Sequence, residues 1–207
     1  MITTWLEFGK LKNVPRTGWL LRGLGRWSVE SVADHVARTS FIAMSLADTL
    51  AAKGVTLDGY KVVEMSLLHD ISEAMLLDMD RRVSKLIGED FKKRAEKTIE
   101  EFTLKRLEPS LKERYLSLLR DYREGNSVEA QVVKVSDKLE TLIQAYEYEQ
   151  SGFSPSKVQE FWEEENRLTA LIKDPALKDL VVEIINDLNR HRGSLSKSKL
   201  QPEVINQ

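Results

Sequence analysis

The chain contains no cysteine. Disulfides, thiolate nucleophiles, iron–sulfur clusters and cysteine-based zinc fingers are excluded together. Proline and glycine are scarce, at 5 and 10 of 207 residues, and the hydrophobic share is 42%. That composition fits a folded helical protein and not a disordered tail. Neither sign of charge dominates, since 31 Lys and Arg face 33 Asp and Glu. The basic excess of a dedicated nucleic-acid binder is missing. No apolar run approaches the roughly 18 residues of a membrane span. The start, Met1-Ile-Thr-Thr-Trp-Leu-Glu, has no basic stretch followed by an apolar one, so no secretory signal is visible. These absences lead to the expectation of a cytoplasmic protein that engages neither nucleic acid nor membrane.

What is present is helical periodicity almost from end to end, with no sustained alternation of period two. A short helix is expected over 2–12, followed by an irregular stretch over 13–30 that contains Pro15, Gly18, Gly23 and Gly25. Ser31 can cap the next helix with Asp34 at its third position, and Gly54 lies just past its end. Asp58 starts a helix expected to run through Met75. Further helices are expected at 89–107, 110–124, 127–150, 156–172 and 175–191. The fold class is all-α, a single domain over 1–192, with a Ser- and Lys-rich tail at 193–207 expected to be mobile.

Histidine is the scarce ionisable residue, with only three copies: His35, His69 and His191. His35 shares a helix face with Val32, Thr39, Ile42 and Leu46. One inward histidine is more often a core residue than a ligand, but His69 does not stand alone. Asp70 follows it, Glu73 comes four residues on, and Asp78 and Asp80 are close behind. An apolar segment that ends in an imidazole and several acids is costly to bury without a counter-charge. A divalent cation supplies one. Asp137, beside the apolar stripe of Val132, Val135, Leu139 and Leu142, is a further candidate. Imidazole with carboxylate oxygen and no thiolate suits Mn, Co, Fe, Ni, Zn or Mg. His191, flanked by Arg190 and Arg192, reads as a surface residue near a helix C-terminus.

The order His35…His69-Asp70…Asp137 resembles that of the HD-domain metal phosphohydrolases. Four strings narrow the resemblance to the 5'-deoxynucleotidase branch: Leu11-Lys-Asn-Val-Pro-Arg-Thr-Gly-Trp19, Val32-Ala-Asp-His35, Leu68-His-Asp-Ile-Ser-Glu73, and the run from Ser136 to Glu149. It covers about residues 5–190. The resemblance implies a helical HD-domain bundle that hydrolyses nucleoside 5'-monophosphates to nucleoside and phosphate. It implies one divalent metal on His35, His69, Asp70 and Asp137, with Glu73 as the catalytic acid. Arg16 would grip the phosphate, Trp19 would pack near the sugar, and Asp78 would approach the sugar hydroxyls. A homodimer is implied as well.

The sequence departs from the family pattern at Leu77-Asp-Met-Asp80-Arg-Arg82, where a small residue, often Gly, usually precedes the acid and prolines follow. This leaves open whether Asp78 or Asp80 meets the sugar. Two other readings stand beside the monophosphatase. One is another HD phosphohydrolase acting on nucleotide di- or triphosphates, alarmones or cyclic nucleotides. Two-metal members of that group need extra histidines, and only His191 is left over. The other is a non-catalytic helical metal-binding module, against which the presence of Glu73 argues.

Overall fold

A computed structural model of the chain describes residues 1–163 and 168–198. Its helices are α1 (Ile2–Gly9), α2 (Thr17–Leu20), α3 (Val32–Ala52), α4 (Gly59–Leu68), α5 (Glu73–Leu76), α6 (Arg81–Ile87), α7 (Glu89–Leu104), α8 (Pro109–Glu124), α9 (Val128–Gln150), α10 (Gln159–Glu163) and α11 (Pro175–Ser198). Short 3-10 turns occupy Lys10–Asn13, Pro155–Lys157 and Thr169–Leu171. Among the described residues there is no strand, only an isolated antiparallel bridge between Pro15 and Ser31. The all-α expectation holds.

The chain divides into two compact units, Met1–Glu140 and Thr141–Gln207. In the first, α3 packs along α4, and α4 packs against α8. The buried face of α3 is Val32, His35, Val36, Thr39, Ala43, Leu46, Ala47 and Leu50, a stripe at helical spacing. Fully burying one such Val or Leu stabilises by about 1.5–3 kcal/mol. Side-chain caps fix the helix starts. Ser31 and Asp34 form a reciprocal capping box on α3, Asp58 accepts from Lys61 N at α4, and Glu108 precedes Pro109 at α8. In the second unit, Arg192 pairs with both Glu149 oxygens at 2.7 and 2.8 Å and lies 4.2 Å over the Trp162 ring. Every candidate site residue belongs to the first unit.

Several boundaries differ from those the periodicity predicts. The helix expected from Asp58 through Met75 stops at Leu68, and residues 69–72 form a turn before α5. The Ser66 carbonyl, which a continuing helix would offer to Asp70 N–H, receives His69 Nδ1 at 2.6 Å. His69 is therefore a helix-terminal residue and Asp70 a turn residue. α6 lies in a stretch where no helix was expected. The helix expected over 156–172 is broken into the 3-10 turn Pro155–Lys157, α10 and the turn Thr169–Leu171, with residues 164–167 outside the described set. α11 runs on through Ser198, beyond the helix end expected at 191; residues 199–207 of the expected tail lie outside the described residues.

Candidate metal centre

Three helices and a turn bring the four expected ligands together. The capping box at Ser31 sets the first turn of α3, and His35 follows on its buried face with no exposed surface. His69 closes α4, 6% exposed, and Asp70 is the next residue in the turn. Asp137 is carried by α9. His69 Nε2 is 3.2 Å from Asp70 Oδ2, and His35 Nε2 is 3.3 Å from Asp137 Oδ1 and 3.7 Å from Asp70 Oδ2. The two imidazoles meet edge-on, with ring centroids 5.6 Å apart.

These distances fit a shared cation. Donor atoms that each stand about 2.1 Å from one ion sit roughly 3 Å from each other. One ring nitrogen each of His35 and His69 and an Asp137 oxygen all lie within 4.8 Å of one another. Both Nε2 atoms are buried and have no hydrogen-bond partner among the described residues. In each ring Nδ1 faces an acceptor, the Ser66 carbonyl for His69 and the Glu140 carboxylate for His35, so Nδ1 carries a proton and Nε2 points at the acids. Charge tells the same story. Burial and Arg16 oppose a charged His35, yet Asp137 and Glu140 push its pKa up to about 9. Burial would raise Asp137, but Lys138 and the two histidines hold it well below the usual carboxylate range. The set demands positive charge at its middle.

The flanking candidates gather on one side. Arg16 precedes α2, and its Nη1 stands 3.7 Å from Asp78 Oδ1 and 4.0 Å from Asp70 Oδ2, with Nε 4.0 Å from Glu30 Oε1. All three are ion-pair distances longer than a hydrogen bond, so among the described residues these carboxylates do not tie up the guanidinium donors. Burial would lower its pKa, but Asp78, Glu73, Asp70 and Asp137 raise it. Asp78 accepts from Thr17 N, and from Thr17 Oγ1 at 3.1 Å, while its carbonyl accepts from Thr17 Oγ1 at 2.8 Å. Asp80 faces elsewhere. It caps α6 through Arg82 N at 2.9 Å and takes Arg22 Nη1 at 3.1 Å and Arg82 Nε at 3.0 Å. Of the two acids, Asp78 is the one beside Arg16. Leu77 reaches it with φ 66°, ψ 164°, the left-handed side that a glycine takes without strain and a leucine takes at about 1–3 kcal/mol.

Glu73 starts α5, and its Oε2 is buried without a hydrogen-bond partner among the described residues. Burial, then Asp70 and Asp78, push its carboxyl well above the ordinary range, against the pull of Arg16 and Lys92. Trp19 differs from the expectation of an aromatic packing near a sugar: it is 1% exposed and donates Nε1–H to Glu30 Oε1 at 3.0 Å. It supports the carboxylate beneath Arg16 and presents almost no open face.

Sequence reasoning passed over four contributors. Tyr122 stacks edge-on to His69 at 5.6 Å, and Glu30, Arg38 and the buried Glu140 form a polar layer behind His35. The signal for the last pair was readable. Arg38 and Glu140 follow His35 and Asp137 by three residues, which places each on the same helix face as its ligand.

The HD domain family model matches residues 8–173. The chain belongs to the HD domain family. This HD domain is 32% identical over 154 residues to the 5'-deoxynucleotidase HDDC2 of Danio rerio, an alignment covering 74% of this chain and 72% of that protein. Against the Dictyostelium discoideum protein of the same name it is 29% identical over 195 residues, covering 90% and 99%. A conserved hypothetical protein from Pyrococcus furiosus superposes with a TM-score of 0.77 at 36% identity, covering 92% of this chain and 99% of that one. The family match spans all the candidate ligands, from His35 to Asp137.

Proposed function

We propose that this HD domain hydrolyses nucleoside 5'-monophosphates, deoxyribonucleotides among them, to nucleoside and inorganic phosphate. One divalent ion is held by His35, His69, Asp70 and Asp137. The observation that carries the reading is the meeting of two orphaned imidazole nitrogens with an arginine whose fork, among the described residues, is hydrogen-bonded to no side chain. Relatives named 5'-deoxynucleotidase support the substrate class.

An ion in that set supplies a Lewis acid that activates water near neutral pH and draws charge off the phosphoryl oxygens. The chain's own residues do the rest. Arg16 meets the phosphate dianion with a planar, permanently charged fork, steered by Asp78 and Glu30 on either side. Asp78, held in place by Thr17, accepts from a sugar hydroxyl. Glu73, whose pKa is pushed upward by burial and then by Asp70 and Asp78, gives a proton to the departing nucleoside oxygen. Trp19 acts indirectly, by fixing Glu30 under Arg16. The donor set admits Co, Mn, Mg, Ni, Fe or Zn, and solution competition decides among them. The same reading includes a homodimer in the cytoplasm, which light scattering and fractionation check. Among the described residues no helix is long and apolar enough to cross a membrane.

The test is a phosphate-release screen with chelator-stripped protein, each divalent metal in turn, and deoxy- and ribonucleoside mono-, di- and triphosphates as substrates. Release from monophosphates with metal present is the expected outcome. Release confined to di- or triphosphates would transfer the protein to another phosphohydrolase class.

A further inference from the structure

Behind His35 lies a buried polar chain that the proposed reaction does not use directly. Glu140 has no exposed surface and sits one helical turn after Asp137 on α9. Its Oε2 accepts a hydrogen bond from His35 Nδ1–H. Its other oxygen, Oε1, accepts from Arg38 Nε at 3.0 Å and Arg38 Nη2 at 2.7 Å, and Arg38 stands one turn after His35 on α3. Two residues on each helix are therefore linked in a chain that runs Asp137, His35, Glu140, Arg38. An ionised carboxylate at this depth is tolerable only because an imidazole and a guanidinium occupy both its oxygens. Arg38 also stands 4.0 Å from Glu30, which accepts the Trp19 indole and lies 4.0 Å from Arg16. The layer thus runs from the histidine to the phosphate side.

A histidine that meets a cation through Nε2 is free to spin or change tautomer unless Nδ1–H is held, and outer partners of this kind also raise the ligand's basicity. His69 gets a neutral acceptor, the Ser66 carbonyl, from its own helix. His35 gets a charged one from a different helix. We propose that Glu140, braced by Arg38, is a positioning residue that locks His35 in its Nδ1–H tautomer and ring orientation, so that Nε2 is preset for the divalent ion; this rests on the metal reading given above.

The experiment titrates Co2+ into chelator-stripped wild type and Glu140→Gln, following the visible cobalt spectrum and the dissociation constant. Glutamine keeps the volume and removes the charge. The expected result is a Kd raised by about 10–100-fold. In a His35→Ala background the same substitution is expected to add almost nothing, because its effect passes through that ring. A Kd for Glu140→Gln within about a factor of three of wild type overturns the proposal. An equal further loss in the His35→Ala background overturns it as well. Should Glu140→Gln not fold, Arg38→Met, at a partly exposed position, is judged by the same two criteria. Wild type that takes up no Co2+ instead refutes the metal reading itself, a separate outcome.

Discussion

Replacing Glu73 with methionine is predicted to leave the protein slightly more stable and nearly inactive. The side chains are of similar volume, so no cavity opens. Glu73 Oε2 is buried with no hydrogen-bond partner among the described residues, and a buried polar atom left unsatisfied costs about 1–3 kcal/mol. Part of the carboxyl is still solvated, so about 1 kcal/mol is the expected gain, at the lower end of that range. For a chain of this size that corresponds to a rise in Tm of about 2–4 °C. The chemistry moves the other way. A positioned proton donor contributes about 10²–10⁴ in rate, or roughly 2.7–5.5 kcal/mol of barrier. Glu73→Met is therefore expected to lose at least two decades of kcat on a deoxynucleoside monophosphate. Calorimetry and phosphate release are run on the same samples at matched metal content, since bound ligand shifts Tm by itself. Near-normal turnover would refute the role of Glu73 in proton transfer. A Tm lower by several degrees would refute the claim that its carboxyl is a liability to the fold.

Arg16→Ala raises the KM for monophosphates more than it lowers kcat, because a clamp on the phosphate is engaged before and during reaction; steady-state kinetics check this, and an unchanged KM contradicts it. Asp78→Ala and Asp80→Ala separate by assay. The first shifts the ratio of deoxy- to ribonucleotide kcat/KM. The second leaves that ratio alone but removes a cap and a partner of Arg22, costing about 2 kcal/mol, read as a fall in Tm. Asp121 responds to pH. Burial works to raise its pKa, but Lys61 Nζ at 2.7 Å and the Ser127 hydroxyl at 2.8 Å outweigh that and lower it. A carboxylate depressed in the folded state adds stability above its unfolded value of about 3.9 and loses it as pH falls through the folded one. The Tm deficit of Asp121→Asn is thus present at neutral pH and narrows below about pH 4.

The candidate ligand cluster was legible in two steps: the histidines are scarce and His69 is followed by acids in an apolar context, and the family resemblance joined Asp70 and Asp137 to the two histidines as one set. The long helices α3 and α9 were legible from apolar spacing, and the start of α3 from its capping residues Ser31 and Asp34. Periodicity alone could not show that α4 stops at Leu68. The stop depends on a side chain, His69, competing for a backbone carbonyl, and residues 71–76 keep an apolar pattern compatible with continued helix. Asp78 and Asp80 are chemically alike and two positions apart. Only the partners decide between them, Thr17 and Arg16 for one and Arg22 and Arg82 for the other. Glu140 left only the weak signal of its three-residue spacing from Asp137: a single glutamate in a helix reads as a solvated charge until Arg38 and His35 are found on both its oxygens.

The most direct test of the central claim is a metal titration of activity. Chelator-stripped protein receives Co2+ or Mn2+ in fractional equivalents while hydrolysis of a deoxynucleoside 5'-monophosphate is followed. The account predicts no turnover before addition, a linear rise, and a break at one ion per chain, with His69→Ala failing to recover at the same metal concentrations. Full activity in stripped protein, or recovery of His69→Ala alongside wild type, would contradict it.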